Sequence, residues 1–487
     1  MAWGTGANLV RRGAAAALLF LLSAAVLILE ILAARLLAPY VGLSLETYTA
    51  IIGVVLAGIA AGHAAGGRIA DVSAWRPALG GCLLAGGLAS SAVVPVVRLL
   101  GAELRAPTIP SVVALSLAAF FLPTAALSAA SPVVTRAQLS DLDTSGRVIG
   151  SLSAWSTAGA LTGTFLTGFV LVATFPTTRI IYVLSGVLMA LGVLFSVPRR
   201  SVAVASTAAV LLATSYVAAA TAPVCDTETR YYCVRLVDRA GQRPGRILRL
   251  DTLSHSLVNL QDPSRLGFRY QRVVASVLAA REAVAPVRDV LHIGGGGYAF
   301  PRYVNATRPR VRNRVFELDP DLHGVAVDRL ELPADAVHVT SGDARTAVVA
   351  EPGASFDLVV ADTFGSLDPP WHLATVESAR SVKRLLRPRG VYVLNVVDSG
   401  PLKFVRAEFA TLSVVFTHVA VVARPRTSTE NPSNSVLIAS DVPLRVEVDP
   451  ADGVLLHGAA AKAFGQDGMV LTDDYAPVQR LLTRTRR

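Results

Sequence analysis

The sequence predicts a multi-pass α-helical membrane domain followed by a doubly wound α/β domain, with a small β-hairpin where the second begins. Three observations predict this. Of 487 residues, 52% are hydrophobic and only 16% are charged, where a soluble protein averages roughly 25% charged. The acids are unevenly placed: residues 1–221 hold six and residues 222–487 hold 29. The basic residues divide the same way, with twelve Arg and no Lys before 222 and 33 Lys or Arg after it. The mean hydropathy of +0.51 excludes disorder, a purely soluble enzyme and a small disulfide scaffold. The net charge of +10 is spread over both halves without a basic stripe carrying interleaved aromatics, so nucleic acid is not an expected partner. The predicted domains are 1–222, a transmembrane block; 223–285, a hairpin and helix leading in; and 286–487, the α/β domain.

An apolar run of 18 or more residues reads as a spanning helix, because the hydrocarbon core is about 30 Å thick and a helix rises about 1.5 Å per residue. Seven such runs are predicted, at 14–35, 49–70, 78–99, 108–131, 148–174, 180–197 and 203–222. Their Gly and Ala content suits close helix packing, since small residues let backbones approach. The chain is therefore expected in the cell membrane, with the lipid bilayer as a partner. Arg68, Arg76, Arg136 and Arg147, with Arg11, Arg12, Arg199 and Arg200, outnumber Arg98, Arg105 and Arg179 on the other side, which favours an inside N-terminus. Seven spans then leave the polar domain outside, and one span fewer reverses that. Glu30 and His63 lie within spans, where an ionisable group is costly unless paired or hydrated. Two readings stay open: a structural ion pair of Glu30 with Arg35 or Arg68, or a polar pocket for a cationic or lipid ligand. Cys225 and Cys233, eight apart, are candidates for a disulfide, or are two unpaired thiols; Cys82 reads as inert core. No resident metal or tightly bound cofactor is expected.

After residue 222 the periodicity changes. Tyr231–Val237 and Arg246–Leu250 read as a hairpin turned at Asp238–Gly245. A helix is predicted over 265–281. Strands are then predicted at Asp289–Ile293, Arg314–Leu318, Ala336–Thr340, Phe356–Ala361, Val391–Val396, Val415–Val421 and Ser435–Ala439, with helices over 319–330, 373–386 and 402–412. Short apolar strands alternating with helices predict a mostly parallel sheet covered on both faces.

In such sheets ligands bind at the C-terminal strand ends, and four of those ends carry suggestive residues. The first runs into Gly294-Gly295-Gly296-Gly297, which lets a ligand approach the backbone closely. The second ends at Glu317, 21 residues beyond Gly296, where a carboxylate can accept from both ribose hydroxyls. The third ends at Asp343 and Ala344: an acid for an adenine amino group and a small side chain that leaves room for the ring. The fourth ends at Asp362. Trp371, after Pro369-Pro370, reads as a packed loop anchor or a stacking surface.

This set resembles the spermidine synthase family, and more closely its membrane-fused bacterial branch. Glu30-Ile31-Leu32-Ala33-Ala34-Arg35, Gly66-Gly67-Arg68-Ile69-Ala70-Asp71 and Gly163-Thr164-Phe165-Leu166-Thr167-Gly168-Phe169 carry the likeness in the apolar half. Leu250-Asp251 with His255-Ser256, Gly342-Asp343-Ala344-Arg345, Pro370-Trp371-His372-Leu373 and Leu471-Thr472-Asp473-Asp474-Tyr475-Ala476-Pro477 carry it in the polar half. The resemblance implies a Rossmann-like α/β domain of the class I methyltransferase and spermidine synthase kind. It implies transfer of an aminopropyl group from decarboxylated S-adenosylmethionine, a co-substrate, to putrescine or another polyamine, and it allows a homodimer. By position, Gly294, Gly295, Gly296, Glu317, Asp343, Ala344 and His255 would hold the nucleoside, and Tyr270 the acceptor. Two acids that the family carries are replaced by Gly297 and Gly365, so Asp362 or Asp368 would be the base, and Asp473 and Asp474 further acids for a cationic amine. The alternatives are a methyltransferase using S-adenosylmethionine and a non-catalytic polyamine sensor or transporter.

Overall fold

The computed structural model describes residues 12–104, 108–139, 145–196, 209, 212–213, 215–216, 224–240, 245–363, 369–424 and 433–482. Two compact units divide at Glu228/Thr229, six residues past the composition break. Of the stretch 223–285, the residues up to Glu228 fall in the first unit and those from Thr229 on in the second.

In the first unit the described residues form six helices long and apolar enough to cross a membrane: Gly13–Val41, Leu45–Val72, Trp75–Glu103, Ile109–Gln138, Ser145–Thr174 and Thr177–Ser196. The first three overrun the predicted segments at both ends, and the last three at one end. The predicted seventh span, 203–222, lies almost wholly outside the described residues. Small residues set the helix approach. A Cβ on Gly58, Gly62 or Gly66 would overlap the fourth helix at Thr124, Ala125 or Ala129, and one on Gly159 or Gly163 would overlap the first helix at Phe20 or Ala24. Polar atoms inside the bundle are answered locally: Ser23 and Ser156 share a 2.6 Å hydrogen bond across two helices, and Thr124 and Thr167 donate to carbonyls one turn back. Leu117–Phe121 and Thr167–Leu171 widen into π-turns within their helices. Glu30 is half-buried, His63 is exposed, and the Arg35 Nε reaches the Thr177 hydroxyl at 3.4 Å. Cys225 and Cys233 are both disulfide-bonded, and Cys82 is a buried free thiol.

From Thr227 on, the chain forms two sheets. The expected hairpin is part of a four-stranded sheet: β1 (Thr227–Glu228), β2 (Cys233–Arg239), β3 (Gly245–Leu250) and β4 (Leu253–Val258). β4 was not predicted, because its polar residues Ser254, His255 and Ser256 mask a strand whose last three positions are buried. The large sheet contains β5 (Asp289–Ile293), β6 (Arg312–Glu317), β7 (His338–Ser341), β8 (Phe356–Ala361), β9 (Leu386–Asp398), β10 (His418–Ala423), β11 (Ser433–Ser440) and β12 (Val454–Leu456). Its spatial order is β12-β10-β11-β9-β8-β5-β6-β7. β5 to β9 form a parallel ladder, while β10, β11 and β12 join antiparallel. This is the Rossmann-like fold class the sequence predicts. Every residue of β5 and β8 is buried, as strands covered on both faces require. The helix Arg269–Val284 covers one face; Ala344–Ala350, Val376–Leu385 and Lys403–Val415 cover the other. The strand order reverses between β5 and β8, and that reversal opens a crevice above their C-terminal ends.

One acid is buried where the core is otherwise apolar. Glu408, on Lys403–Val415, faces a small cavity with Tyr392, Phe404 and Val382, and burial pushes its pKa well above the usual glutamate range. The folded chain thus holds a proton that the unfolded chain releases near pH 4.3. Glu408 therefore favours folding only at low pH, and that contribution is lost as pH rises from there through its raised folded value. Glu408→Gln is expected to leave the melting transition of the polar unit unchanged at pH 4 and to raise its stability at pH 8, where the buried carboxyl would otherwise lose its proton. Melting curves of the detergent-purified chain at both pH values check this.

Candidate nucleoside and amine site

The site is built at the switch point, from the loop after β5 outward. The Gly294 N–H donates to the Phe316 carbonyl at 2.8 Å and the Asp362 N–H to the Ile293 carbonyl at 2.8 Å, so the ends of β5, β6 and β8 are pinned together. Gly294 has φ +93°, and a Cβ there would run into the Asp362 carbonyl. Gly296 has φ +49°, a left-handed conformation that glycine adopts without penalty. The loop ends at Tyr298, which is left-handed too (φ +54°), fully buried, and packed against the face of Gly295 where a Cβ would meet its ring.

Glu317 closes β6 and is 5% exposed. Its Oε2 accepts from the Gly295 N–H at 2.8 Å and the Gly296 N–H at 3.2 Å, and its Oε1 accepts from the Asp319 N–H at 3.0 Å. Burial pushes its pKa up, and these main-chain donors pull it part of the way back. Asp319 itself is fully buried and accepts from the Thr229 hydroxyl.

Asp343 caps the helix Ala344–Ala350: its Oδ1 accepts from the Arg345 N–H at 2.7 Å, and its Oδ2 lies 3.1 Å from the His372 Nε2. A carboxylate offers about four lone-pair sites, so both oxygens can still accept from a ligand. Ala344 sits beside it as the first helical residue.

Asp362, just past β8, receives the Tyr270 hydroxyl at 2.6 Å on Oδ2 and the Asn395 Nδ2 at 2.8 Å on Oδ1. Gln271 Nε2 in turn donates to the Tyr270 hydroxyl at 3.3 Å. Burial raises the Asp362 pKa above the usual carboxylate range, and the two donated hydrogen bonds partly offset that.

Gly294, Gly295, Gly296, Glu317, Asp343, Ala344, His255 and Asp362 all line one cleft. Tyr270 does not line it and meets it through its hydrogen bond to Asp362. Asp473 does not line it. Its carboxylate takes Arg345 at 2.7 Å and the Thr375 hydroxyl at 2.6 Å, and so locks the turn Thr472–Tyr475 against two helices. Asp474 is exposed in the same turn, away from the cleft wall. Asp368 and Gly365 lie outside the described residues. Trp371 is half-exposed and does not line the cleft. The sequence does not single out Tyr232 or Asn395, and it carries Ser256 and His372 only as members of longer motifs. Tyr232 lines the cleft beside Glu317, and burial pushes its hydroxyl pKa up. A Tyr just before a strand, or an Asn within one, gives no local signal of this. Ser256 donates no such ambiguity: its hydroxyl accepts from the Gly297 N–H at 3.0 Å, and a Cβ on Gly297 would lie 2.6 Å from the Ser256 Cβ. The acid that the resemblance implies at Gly297 has no room there.

No protein-family model matches the chain. A polyamine aminopropyltransferase of Chromobacterium violaceum is 28% identical over 142 residues, which is 29% of this chain and 53% of that protein. A probable polyamine aminopropyl transferase of Bifidobacterium longum is 26% identical over 161 residues, 33% of this chain and 35% of that protein. Among solved structures, a probable spermidine synthase from Corynebacterium glutamicum matches with a TM-score of 0.47 and 25% identity, over 53% of this chain and 99% of that one. The chain spans about half the length of the first curated relative and about a third of the second. Over these stretches it is similar to the polyamine aminopropyltransferases, the spermidine synthase family that its motifs resemble.

Proposed function

We propose that the polar half transfers an aminopropyl group from decarboxylated S-adenosylmethionine to putrescine or a related polyamine, while the apolar half holds it in the cell membrane. The observation that supports this best is the convergence of a glycine loop, Glu317, Asp343 with Ala344, and Asp362 on one cleft at the switch point of the sheet.

In this reading Glu317 accepts from the ribose hydroxyls, Asp343 accepts from the adenine amino group, and Ala344 leaves space for the ring. His255, which lines the same cleft, would lie beside the nucleoside. The acceptor amine attacks the carbon next to the sulfonium, so a C–N bond forms as the C–S bond breaks. The sulfonium charge is neutralised as methylthioadenosine leaves. Alignment of the two reactants supplies much of the rate. The amine must shed its proton to attack, and Asp362, oriented by Tyr270 and Asn395, is placed to take it. Asp362 is the described acid in the cleft that suits this role, since Gly297 cannot carry one. Gly297 also favours a second reading, a methyltransferase that uses S-adenosylmethionine, because an aminopropyl amine is the group that loop acid would bind.

Incubation of the full chain with each donor and a polyamine panel, followed by mass spectrometry, separates the two. Spermidine-type products with methylthioadenosine support the first reading; methylated products support the second. Asp362→Asn should lower kcat/KM by about 10²–10⁴-fold, as loss of a general base does. Tyr270→Phe should act differently. It removes a hydrogen bond that favours the Asp362 carboxylate, so the Asp362 pKa rises further and the acid limb of the pH–rate profile moves to higher pH. An unmoved limb removes Tyr270 from the base. Glu317→Gln should weaken methylthioadenosine roughly 10-fold or more, because charge-assisted hydrogen bonds are lost; calorimetric titration reads this directly.

A further inference from the structure

The far edge of the large sheet is only partly covered. β12 pairs with β10 at Val421, Val422 and Ala423, and among the described residues no strand lies beside His418, Val419 and Ala420 on that side. A groove of about 1090 Å³ follows this open stretch. Its floor is apolar, with Phe416 and Leu455 beside Val419. Its walls carry Arg445, His457 and Lys462, all exposed, and none of the lining residues is an acid. Arg445 and Lys462 form no ion pair among the described residues. Asp441, Glu447 and Asp467 follow lining residues in sequence but are not part of the wall, and Asp441 is paired with Lys383 and accepts from the Thr417 N–H.

An edge strand presents unpaired N–H and C=O groups that can receive another strand. Three open residues give about 10 Å of main chain, at roughly 3.3 Å per residue. A second copy of this chain fits poorly, because its own edge would bring the same cations against these. We propose that the groove takes an extended acidic segment of a partner protein, added as a strand beside β10, with its carboxylates facing Arg445 and Lys462. The partner's main chain hydrogen-bonds along His418–Ala420, and its apolar side chains alternate onto the groove floor. This surface is separate from the nucleoside cleft, and it stands whether or not that cleft turns over.

The test uses the full chain in detergent, with empty micelles as the blank. Fluorescein-labelled acetyl-Glu-Val-Glu-Val-Glu-Val-amide is titrated by polarisation against the matching Lys-Val peptide and an acidic peptide N-methylated at alternate residues. The acidic peptide should bind at least about tenfold more tightly than the basic one. The N-methylated form should lose binding, because it cannot complete the ladder. Arg445→Glu with Lys462→Glu should abolish the preference for acid and leave the melting transition unchanged, since both side chains are exposed. Equal binding of the two peptides overturns the proposal, as does full binding of the N-methylated peptide. No binding at all also overturns it, and makes the cations guards against strand pairing. Self-association of the chain that the double variant removes overturns it in favour of a second copy.

Discussion

The Glu317 carboxylate is buried at the end of β6, and its two oxygens accept three main-chain N–H groups, two from the glycine loop after β5 and one from Asp319. Each such charge-assisted bond contributes on the order of 1.5–3 kcal/mol in place of water that burial removes. The same contact decides geometry. It draws the loop of one strand over the end of its neighbour, so the floor of the cleft is in place before any ligand arrives. Tyr298 beneath Gly295 and the Phe316 carbonyl beneath Gly294 hold the loop from the other side. Asp319 then passes the constraint on to Thr229, at the start of the small sheet.

The acids around the cleft divide by what holds them. Asp362 is buried and held by neutral donors, Tyr270 and Asn395, which offset only part of the rise in pKa that burial imposes. Asp473 is held by Arg345 and has become a strut between helices. Asp343 lies between these cases, capping its own helix and touching His372 while keeping lone pairs toward the cleft. Charge alone does not distinguish these roles; the partner does. The place of Gly297 follows the same logic in steric form, because Ser256 of β4 fills the volume that a side chain there would need.

The apolar half obeys a different constraint. In lipid, apolar burial cannot drive helices together, so contact distance matters most. Gly58, Gly62 and Gly66 recur every fourth residue and put a bare backbone stripe against the fourth helix; Gly159 and Gly163 do the same against the first. The large apolar side chains of Ser145–Thr174, such as Phe165 and Phe169, remain exposed.

Much of this was legible in the sequence. The sequence predicts β5 and β8 residue for residue, because each is a short, mainly apolar run too brief for a helix and bounded by turn signals. The six described spans follow from run length. The cleft residues at four strand ends follow from a rule of parallel sheets, which turns order along the chain into nearness in space. Other features were not legible. β4 and the helix Ala299–Thr307 were missed, since Ser, His, Asn and Pro hide short elements whose order comes from packing. Asp473 and Asp474 read as site acids because a sequence shows charge and not the partner that claims it. Composition and strand periodicity determined the two-part architecture and the place of the crevice. Only the tertiary structure decided which acids face it, because that depends on contacts between residues such as Tyr270 and Asp362, 92 positions apart, which no local pattern records.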